Sequence, residues 1–151
     1  MFVNKTKIVV EFGDCDPADI VFYANYFRWF DRCTTALFHA AGLSLRKLFK
    51  HHGVLGIPIV DARARFMVPS TFGDELEVES AVTEWRKSSF VVGHKFFRDG
   101  VLLLEGSETR VWAAAHPTDA HRMQGMPLPN DVIQKLSRRK RRPVRKRSTV
   151  V

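Results

Sequence analysis

The chain has 151 residues and a formal net charge of +8, from 24 lysines and arginines against 16 aspartates and glutamates. This length suits one domain with a buried core, and 45% apolar residues with 11% aromatics exclude a wholly disordered chain. No apolar run approaches the roughly 18 residues of a membrane-spanning helix, and we expect no secretory signal peptide because the first apolar run is short. The two cysteines, Cys15 and Cys33, provide no disulfide framework, so we expect a reducing, cytoplasmic location.

The positive charge is concentrated near the C-terminus. Nine basic residues and no acidic residue occur from Lys135 onward, whereas residues 1–134 carry 15 bases and 16 acids, a net charge of −1. A block of like charges is typically disordered. We therefore predict a folded domain over residues 1–134 and a basic, flexible tail over residues 135–151. This tail either has no ordered role or binds nucleic acid or an anionic membrane surface through its charge.

The first elements in chain order are a strand and a long helix. β-Branched residues mixed with polar ones predict a strand over residues 6–12, which turn-forming residues 13–18 end. Apolar residues then recur every three or four positions over residues 23–41, which indicates an amphipathic helix of about five turns. A second, shorter helix is expected over residues 45–52, with Gly53 after it.

After residue 58 the hydrophobic pattern changes to a period of two. Apolar residues alternate with charged ones over residues 60–66 and 75–82, and two further strand patterns cover residues 90–97 and 101–115. Successive strands with short connections favour an antiparallel sheet. We therefore predict an α+β fold, in which one long helix packs on a curved antiparallel sheet of about five strands. A short closing helix is expected near residues 127–137.

Three carboxylates, Asp14, Asp16 and Asp19, lie within six residues just before the long helix. Aspartates at such positions commonly cap a helix and interact favourably with its dipole. The same arrangement also suits acyl transfer. Backbone N–H groups at the helix start can polarise a carbonyl oxygen, while a carboxylate opposite attacks the carbonyl carbon or activates water.

The segment EFGDCDPADIVFYANYFRWFD, residues 11–31, resembles the signature of the 4-hydroxybenzoyl-CoA thioesterases, the Asp-type branch of the hotdog-fold acyl-CoA thioesterases. The later segments GIPIV (residues 56–60) and EWRKSSFVVGH (residues 84–94) support this resemblance, which extends over roughly residues 6–115. It implies a long central helix wrapped by an antiparallel sheet, and an enzyme that hydrolyses an acyl-CoA thioester to a carboxylic acid and CoA. Aromatic residues at the helix start permit an aromatic acyl group, such as 4-hydroxybenzoyl, without requiring one.

The resemblance also assigns roles to individual residues. The family's catalytic carboxylate matches Asp16, as general base or nucleophile, and its backbone oxyanion donor matches Tyr23. The basic residues that bind CoA phosphates match Arg86 and Lys87. The family further implies a homodimer or tetramer with its active site at a protomer interface, no metal, and no cofactor apart from the CoA of the substrate. Asp19 replaces the family's usual glycine, and aspartate tolerates a positive φ better than most residues.

Several alternatives remain open on the sequence alone. The chain could bind acyl-CoA without hydrolysing it, act on acyl-carrier-protein thioesters, or bind nucleic acid through its tail. Cys15 could be proposed as a nucleophile, although no histidine lies near it in sequence to act as its base. The histidines lack the spacing of metal ligands, and we expect His94, inside a strand pattern, to be a hydrogen-bonded core or interface residue.

Overall fold

The computed structural model describes residues 1–139 of the chain. Five strands form one antiparallel sheet with the order β1-β3-β4-β5-β2. These strands are β1 (Asn4–Val9), β2 (Ile59–Phe66), β3 (Glu75–Trp85), β4 (Ser89–Arg98) and β5 (Val101–Val111). A separate two-stranded sheet pairs β6 (Ala113–Ala115) with β7 (Met123–Gly125). The helices are α1 (Ala24–Ala40), α2 (Leu45–His52) and α3 (Asn130–Ser137).

Helix α1 lies against one face of the five-stranded sheet because one side of it is apolar. Phe30, Cys33 and Leu37 on this side are fully buried. Phe30 and Cys33 pack in one core cluster with inward-facing residues such as Val78 of β3 and Phe96 of β4, and Leu37 belongs to a second core cluster. Burying each large apolar side chain contributes about 1.5–3 kcal/mol. The core therefore holds the N-terminus of α1 at a defined place beside the sheet.

The predicted elements are confirmed, with differences at their ends. Helix α2 covers the residues expected for it, and Gly53 ends it with a φ of 64°. The predicted strand over residues 101–115 divides at Trp112, and the residues after it form β6, which pairs with β7 and not with β4. Strand β7 was not predicted, since its three residues are exposed and show no hydrophobic alternation.

Helix α3 crosses the domain boundary that the charge distribution predicted at residue 134. Leu136 is buried in the core at 1% exposure, and its carbonyl accepts a hydrogen bond from the N–H of Phe2 at 3.2 Å. This apolar residue lies among basic ones, so the charge count alone placed it in the tail. The folded part extends to Ser137, and residues 140–151 of the predicted tail lie outside the described residues. Within residues 1–139, no helix has both the length and the apolar character needed to cross a membrane.

Candidate active site

The acidic segment forms a tight loop that closes just before α1. The N–H of Phe22 donates to the carbonyl of Asp14 at 2.9 Å, which closes the neck of the loop. Further along, the N–H of Asp16 donates to the carbonyl of Ile20, also at 2.9 Å. The loop therefore presents Asp16 at the start of its tip, immediately ahead of the helix.

Asp19 occupies the left-handed backbone region expected at this position. Its φ is 59°, and its N–H donates to the carbonyl of Asp16 at 3.0 Å. The hydroxyl of Thr71 donates to the carbonyl of Asp19 at 2.5 Å and ties the loop to the segment before β3. Aspartate adopts this conformation more readily than most residues other than glycine. Asp19 therefore holds here a backbone conformation that glycine adopts most easily.

The carboxylate of Asp16 is half-buried and partly held in place. Its Oδ1 accepts a hydrogen bond from the N–H of Ala18 at 2.8 Å, while Oδ2 accepts none from the described residues. The side chain lines an open cleft of about 540 Å³, whose walls include Phe12, Thr71 and Phe72. The rings of Phe12 and Phe72 meet edge to face at 6.0 Å between centroids. A carboxylate with one oxygen fixed and one available can act as a nucleophile or as a general base.

Tyr23 lies at the start of α1, as predicted, with helical dihedrals of −55° and −30°. Its backbone N–H donates to no acceptor within residues 1–139. By contrast, the N–H groups of Asn25 and Tyr26 donate to carbonyls three residues back, at 2.9 and 3.2 Å. An N–H at a helix start carries the positive end of the helix dipole and can stabilise a developing oxyanion.

A second, mainly apolar cleft of about 420 Å³ lies beside Tyr23. Its walls include Ile20, Tyr26, Phe66 and Met67. The rings of Tyr26 and Phe66 are 5.6 Å apart. Burial raises the pKa of the Tyr26 phenol above its usual value, so this side chain stays uncharged. An apolar wall of this kind suits the hydrocarbon part of a ligand.

The two predicted CoA-binding residues lie in the turn between β3 and β4. The guanidinium of Arg86 contacts both carboxylate oxygens of Glu84, at 3.0 and 3.1 Å. These hydrogen bonds lower the pKa of Glu84. Lys87 is exposed, and the described part of the chain offers it no salt-bridge partner. A phosphate would therefore find Lys87 available but would compete with Glu84 for Arg86.

Within one chain the structure does not bring Asp16 and Arg86 together. The loop carrying Asp16 is anchored to the segment just before β3, through the Thr71 hydroxyl and the Phe12–Phe72 ring pair. Arg86 instead follows the last residue of β3. This strand has 11 residues, and at about 3.3 Å per residue it spans on the order of 30 Å. A single site using both residues would therefore draw them from different protomers.

Sequence reasoning missed a buried polar network between α1 and the sheet. Glu108 accepts hydrogen bonds from the hydroxyl of Thr34 at 2.7 Å and from Nε of Arg110 at 3.1 Å. Arg110 also donates to Asp31 of α1 at 2.8 Å. Burial alone would raise the pKa of Glu108, but hydrogen bonds from His94 and Arg110 outweigh it and hold that pKa below its usual value. The network thus ties α1 to the sheet through charged groups.

The expectation for His94 is confirmed by this network. Its ring is fully buried, with Nδ1 2.8 Å from the Ser80 hydroxyl and Nε2 3.4 Å from Glu108. The sequence also contained a pattern from which the charged members of the network could have been predicted. The period-two pattern of β5 places Glu108 and Arg110 on the same face as Leu104 and Trp112, so two charged residues occupy core positions.

Comparison with known proteins identifies the family. Residues 10–136 match the sequence model of the thioesterase-like superfamily. The chain belongs to this superfamily. The 4-hydroxybenzoyl-CoA thioesterase of Pseudomonas sp. (strain CBS-3) is 37% identical to it over 131 residues, which cover 83% of this chain and 91% of that protein.

Two solved structures extend this similarity to the fold. A 4-hydroxybenzoyl-CoA thioesterase mutant, in which an aspartate is replaced by asparagine, is complexed with 4-hydroxybenzoyl-CoA. It aligns at a TM-score of 0.81 and 35% identity, over 89% of this chain and 99% of that one. A gentisyl-coenzyme A thioesterase aligns at a TM-score of 0.75 and 30% identity, over 89% of this chain and all (100%) of that one. The predicted hotdog fold and the prediction of a thioester hydrolase are confirmed.

Proposed function

We propose that this thioesterase hydrolyses acyl-CoA thioesters with an aromatic acyl group, releasing a carboxylic acid and CoA. The observation that carries the proposal is the geometry of one loop. Asp16 has a carboxylate oxygen without a hydrogen-bond donor in residues 1–139, and the Tyr23 N–H seven residues later has no acceptor there. A thioester carbonyl needs these two groups, one at its carbon and one at its oxygen.

In the proposed reaction, the thioester oxygen accepts a hydrogen bond from the Tyr23 N–H. The helix dipole stabilises the negative charge that develops on this oxygen. Asp16 either attacks the carbonyl carbon or removes a proton from an attacking water. In the first route the C–S bond breaks, CoA leaves as a thiolate that takes up a proton, and water hydrolyses the resulting mixed anhydride. In the second route water adds directly and the same C–S bond breaks.

The surroundings of the loop support an aromatic acyl group. The rings of Phe22 and Tyr23 are 5.1 Å apart, and both side chains are exposed beside the helix start. Tyr26 and Phe66 add aromatic surface to the neighbouring cleft. Aromatic rings favour edge-to-face and offset contacts with one another. The related thioesterases described above carry aromatic acyl-CoA esters in their names.

We propose that Arg86 and Lys87 bind the CoA phosphates of a site whose Asp16 belongs to another protomer. The length of β3 between these residues supports a shared site. Charge-assisted hydrogen bonds from guanidinium and ammonium groups are the strong contacts to phosphate. Replacing both residues by alanine should therefore raise the KM for CoA esters while leaving Asp16 in place.

A homodimer or tetramer follows from the same proposal. Strand β2 is an edge of the sheet, and it exposes apolar side chains at Ile59, Val60 and Phe66. An exposed apolar edge strand is a natural surface for pairing with a second chain. We also propose a cytoplasmic location, since Cys15 and Cys33 are free thiols. Binding of nucleic acid or an anionic membrane through the tail remains a prediction, because residues 140–151 lie outside the described residues.

The decisive experiment is hydrolysis of a panel of aryl- and aliphatic-CoA esters by the wild type and by Asp16→Asn. We expect aryl esters to turn over fastest, and Asp16→Asn to lower kcat by at least about 10²-fold because the base or nucleophile is lost. Asp19→Asn is the matched control, since it removes a charge from the same loop and asparagine also tolerates a positive φ. Unchanged turnover in Asp16→Asn would overturn the proposal. Binding without hydrolysis by the wild type would instead indicate a non-catalytic acyl-CoA-binding protein.

A further inference from the structure

Asn25 connects the start of α1 to the neck of the catalytic loop. Its side chain is buried, at 8% exposure for the residue. Nδ2 donates to the carbonyl of Asp14 at 2.8 Å, and Oδ1 accepts from the guanidinium of Arg28 at 3.0 Å. The Asp14 carbonyl also accepts the N–H of Phe22. One carbonyl oxygen, two residues before Asp16, thus receives both the backbone bond that closes the loop and the side-chain bond from the helix.

We infer that Asn25 is a positioning residue, which holds the carboxylate of Asp16 in register with the N–H of Tyr23. This inference rests on the proposed function. No hydrogen bond within residues 1–139 joins the Asp16 side chain directly to Tyr23. Asn25 lies in the helical turn that Tyr23 begins, and it bonds to the peptide between Asp14 and Cys15, just before Asp16.

The reaction makes this register important. Asp16 must reach the carbonyl carbon, or a water beside it, while the Tyr23 N–H holds the oxygen of the same carbonyl. A misplacement of about 1 Å can cost about 10²-fold in rate even when binding is retained. The hydrogen bond to Oδ1 of Asp16 limits the movement of the carboxylate within the loop. The hydrogen bond from Asn25 limits the movement of the loop relative to the helix.

The chemistry of the site explains why asparagine suits it. The side chain donates to the Asp14 carbonyl and accepts from a guanidinium, and only the donated bond reaches the loop; a carboxylate or a methyl group cannot donate it. The two partners also fix which way the amide faces. Asn25→Asp therefore keeps the size of the side chain and its acceptor oxygen but loses the Nδ2 donor. Arg28→Ala keeps the Nδ2 donor of Asn25 and removes only the exposed guanidinium that bonds to Oδ1.

The test compares kcat and KM of the wild type, Asn25→Asp, Asn25→Ala and Arg28→Ala on the aryl-CoA ester that the wild type hydrolyses fastest. We expect both Asn25 variants to lower kcat by roughly 10- to 100-fold, with KM within about threefold of the wild-type value. Arg28→Ala should keep kcat within about threefold. Circular dichroism and thermal melting confirm that each variant is folded at the assay temperature. If Asn25→Ala does not fold, the result for Asn25→Asp decides the test, because its side chain has nearly the same size and shape as asparagine.

A double-mutant cycle separates positioning from general damage. In the Asp16→Asn background, adding Asn25→Asp should lower the residual kcat by less than about twofold, because no catalytic carboxylate is left to misplace. Wild-type kcat in Asn25→Asp, or an equal loss in both backgrounds, would overturn the inference. Failure of the proposed function gives a different result, in which the wild type hydrolyses no ester or Asp16→Asn stays fully active, and the inference then falls with it.

Discussion

Gly106 of β5 lies against Phe30 of α1, and replacing it by alanine is a sharp test of how the helix packs on the sheet. A Cβ built on Gly106 would lie 2.2 Å from Cζ of Phe30, 2.6 Å from its Cε2 and 2.8 Å from the carbonyl oxygen of Arg63. Carbon atoms in contact are ordinarily about 3.5–4.0 Å apart. The new methyl group would therefore overlap the ring by more than about 1 Å.

The ring of Phe30 is surrounded by other side chains that restrict its movement. Phe30 is fully buried, and it stacks on His94 with centroids 4.8 Å apart and planes 9° from parallel. Moving the ring would disturb His94 and with it the bond to Ser80. Overpacking a well-filled core typically costs 1–3 kcal/mol. Since the backbone of β2 is also contacted, we expect Gly106→Ala to lower the free energy of unfolding by about 2–4 kcal/mol.

The measurement is urea or thermal unfolding at one fixed protomer concentration, because association makes apparent stability depend on concentration. The expected loss corresponds to a Tm lower by about 10 °C for a domain of this size. Gly13→Ala is the matched control, since its Cβ would meet no atom within 4 Å, and it should change stability by less than about 0.5 kcal/mol. Adding Phe30→Leu to Gly106→Ala should recover part of the loss. A Gly106→Ala protein as stable as the wild type would refute this account of the core.

Three further predictions concern the buried groups and the C-terminal helix. The pKa of Glu108 is lower in the folded state than its usual value of 4.5, so Glu108 stabilises the fold above that pH and loses this contribution as the pH falls through its folded pKa. Urea titrations between about pH 6 and 3 should show a weaker acid dependence for Glu108→Gln than for the wild type, and parallel curves would contradict this. Burial raises the pKa of Cys33 to about 11, so a thiol reagent at neutral pH should modify one of the two cysteines before unfolding and both afterwards. Truncation after Gln134 deletes Leu136 from the core and should lower the free energy of unfolding by about 2–5 kcal/mol relative to truncation after Arg139; equal stability of the two would place the domain boundary at residue 134.

The local features of this protein were predictable from the sequence. The three-to-four spacing of apolar residues predicted α1, and period-two alternation predicted the strands of the main sheet, because these patterns depend on residues close in the chain. The candidate pair Asp16 and Tyr23 is local for the same reason. Tyr23 lies seven positions after Asp16, and hydrogen bonds within one loop hold both at the helix start.

The features that depend on distant segments were decided by the tertiary structure. Strand β2 pairs with β5, and not with β3 that follows it in the chain, so it becomes one edge of the sheet, with β1 at the other. Arg86 lies at the far end of β3 from Asp16, a separation that no spacing in the sequence encodes. The sequence by itself thus indicated the family, the elements and the loop that carries the candidate residue Asp16. The tertiary structure decided that β2 lies at an edge of the sheet and that Asp16 and Arg86 lie near opposite ends of β3, because register and strand length are long-range properties of the sheet.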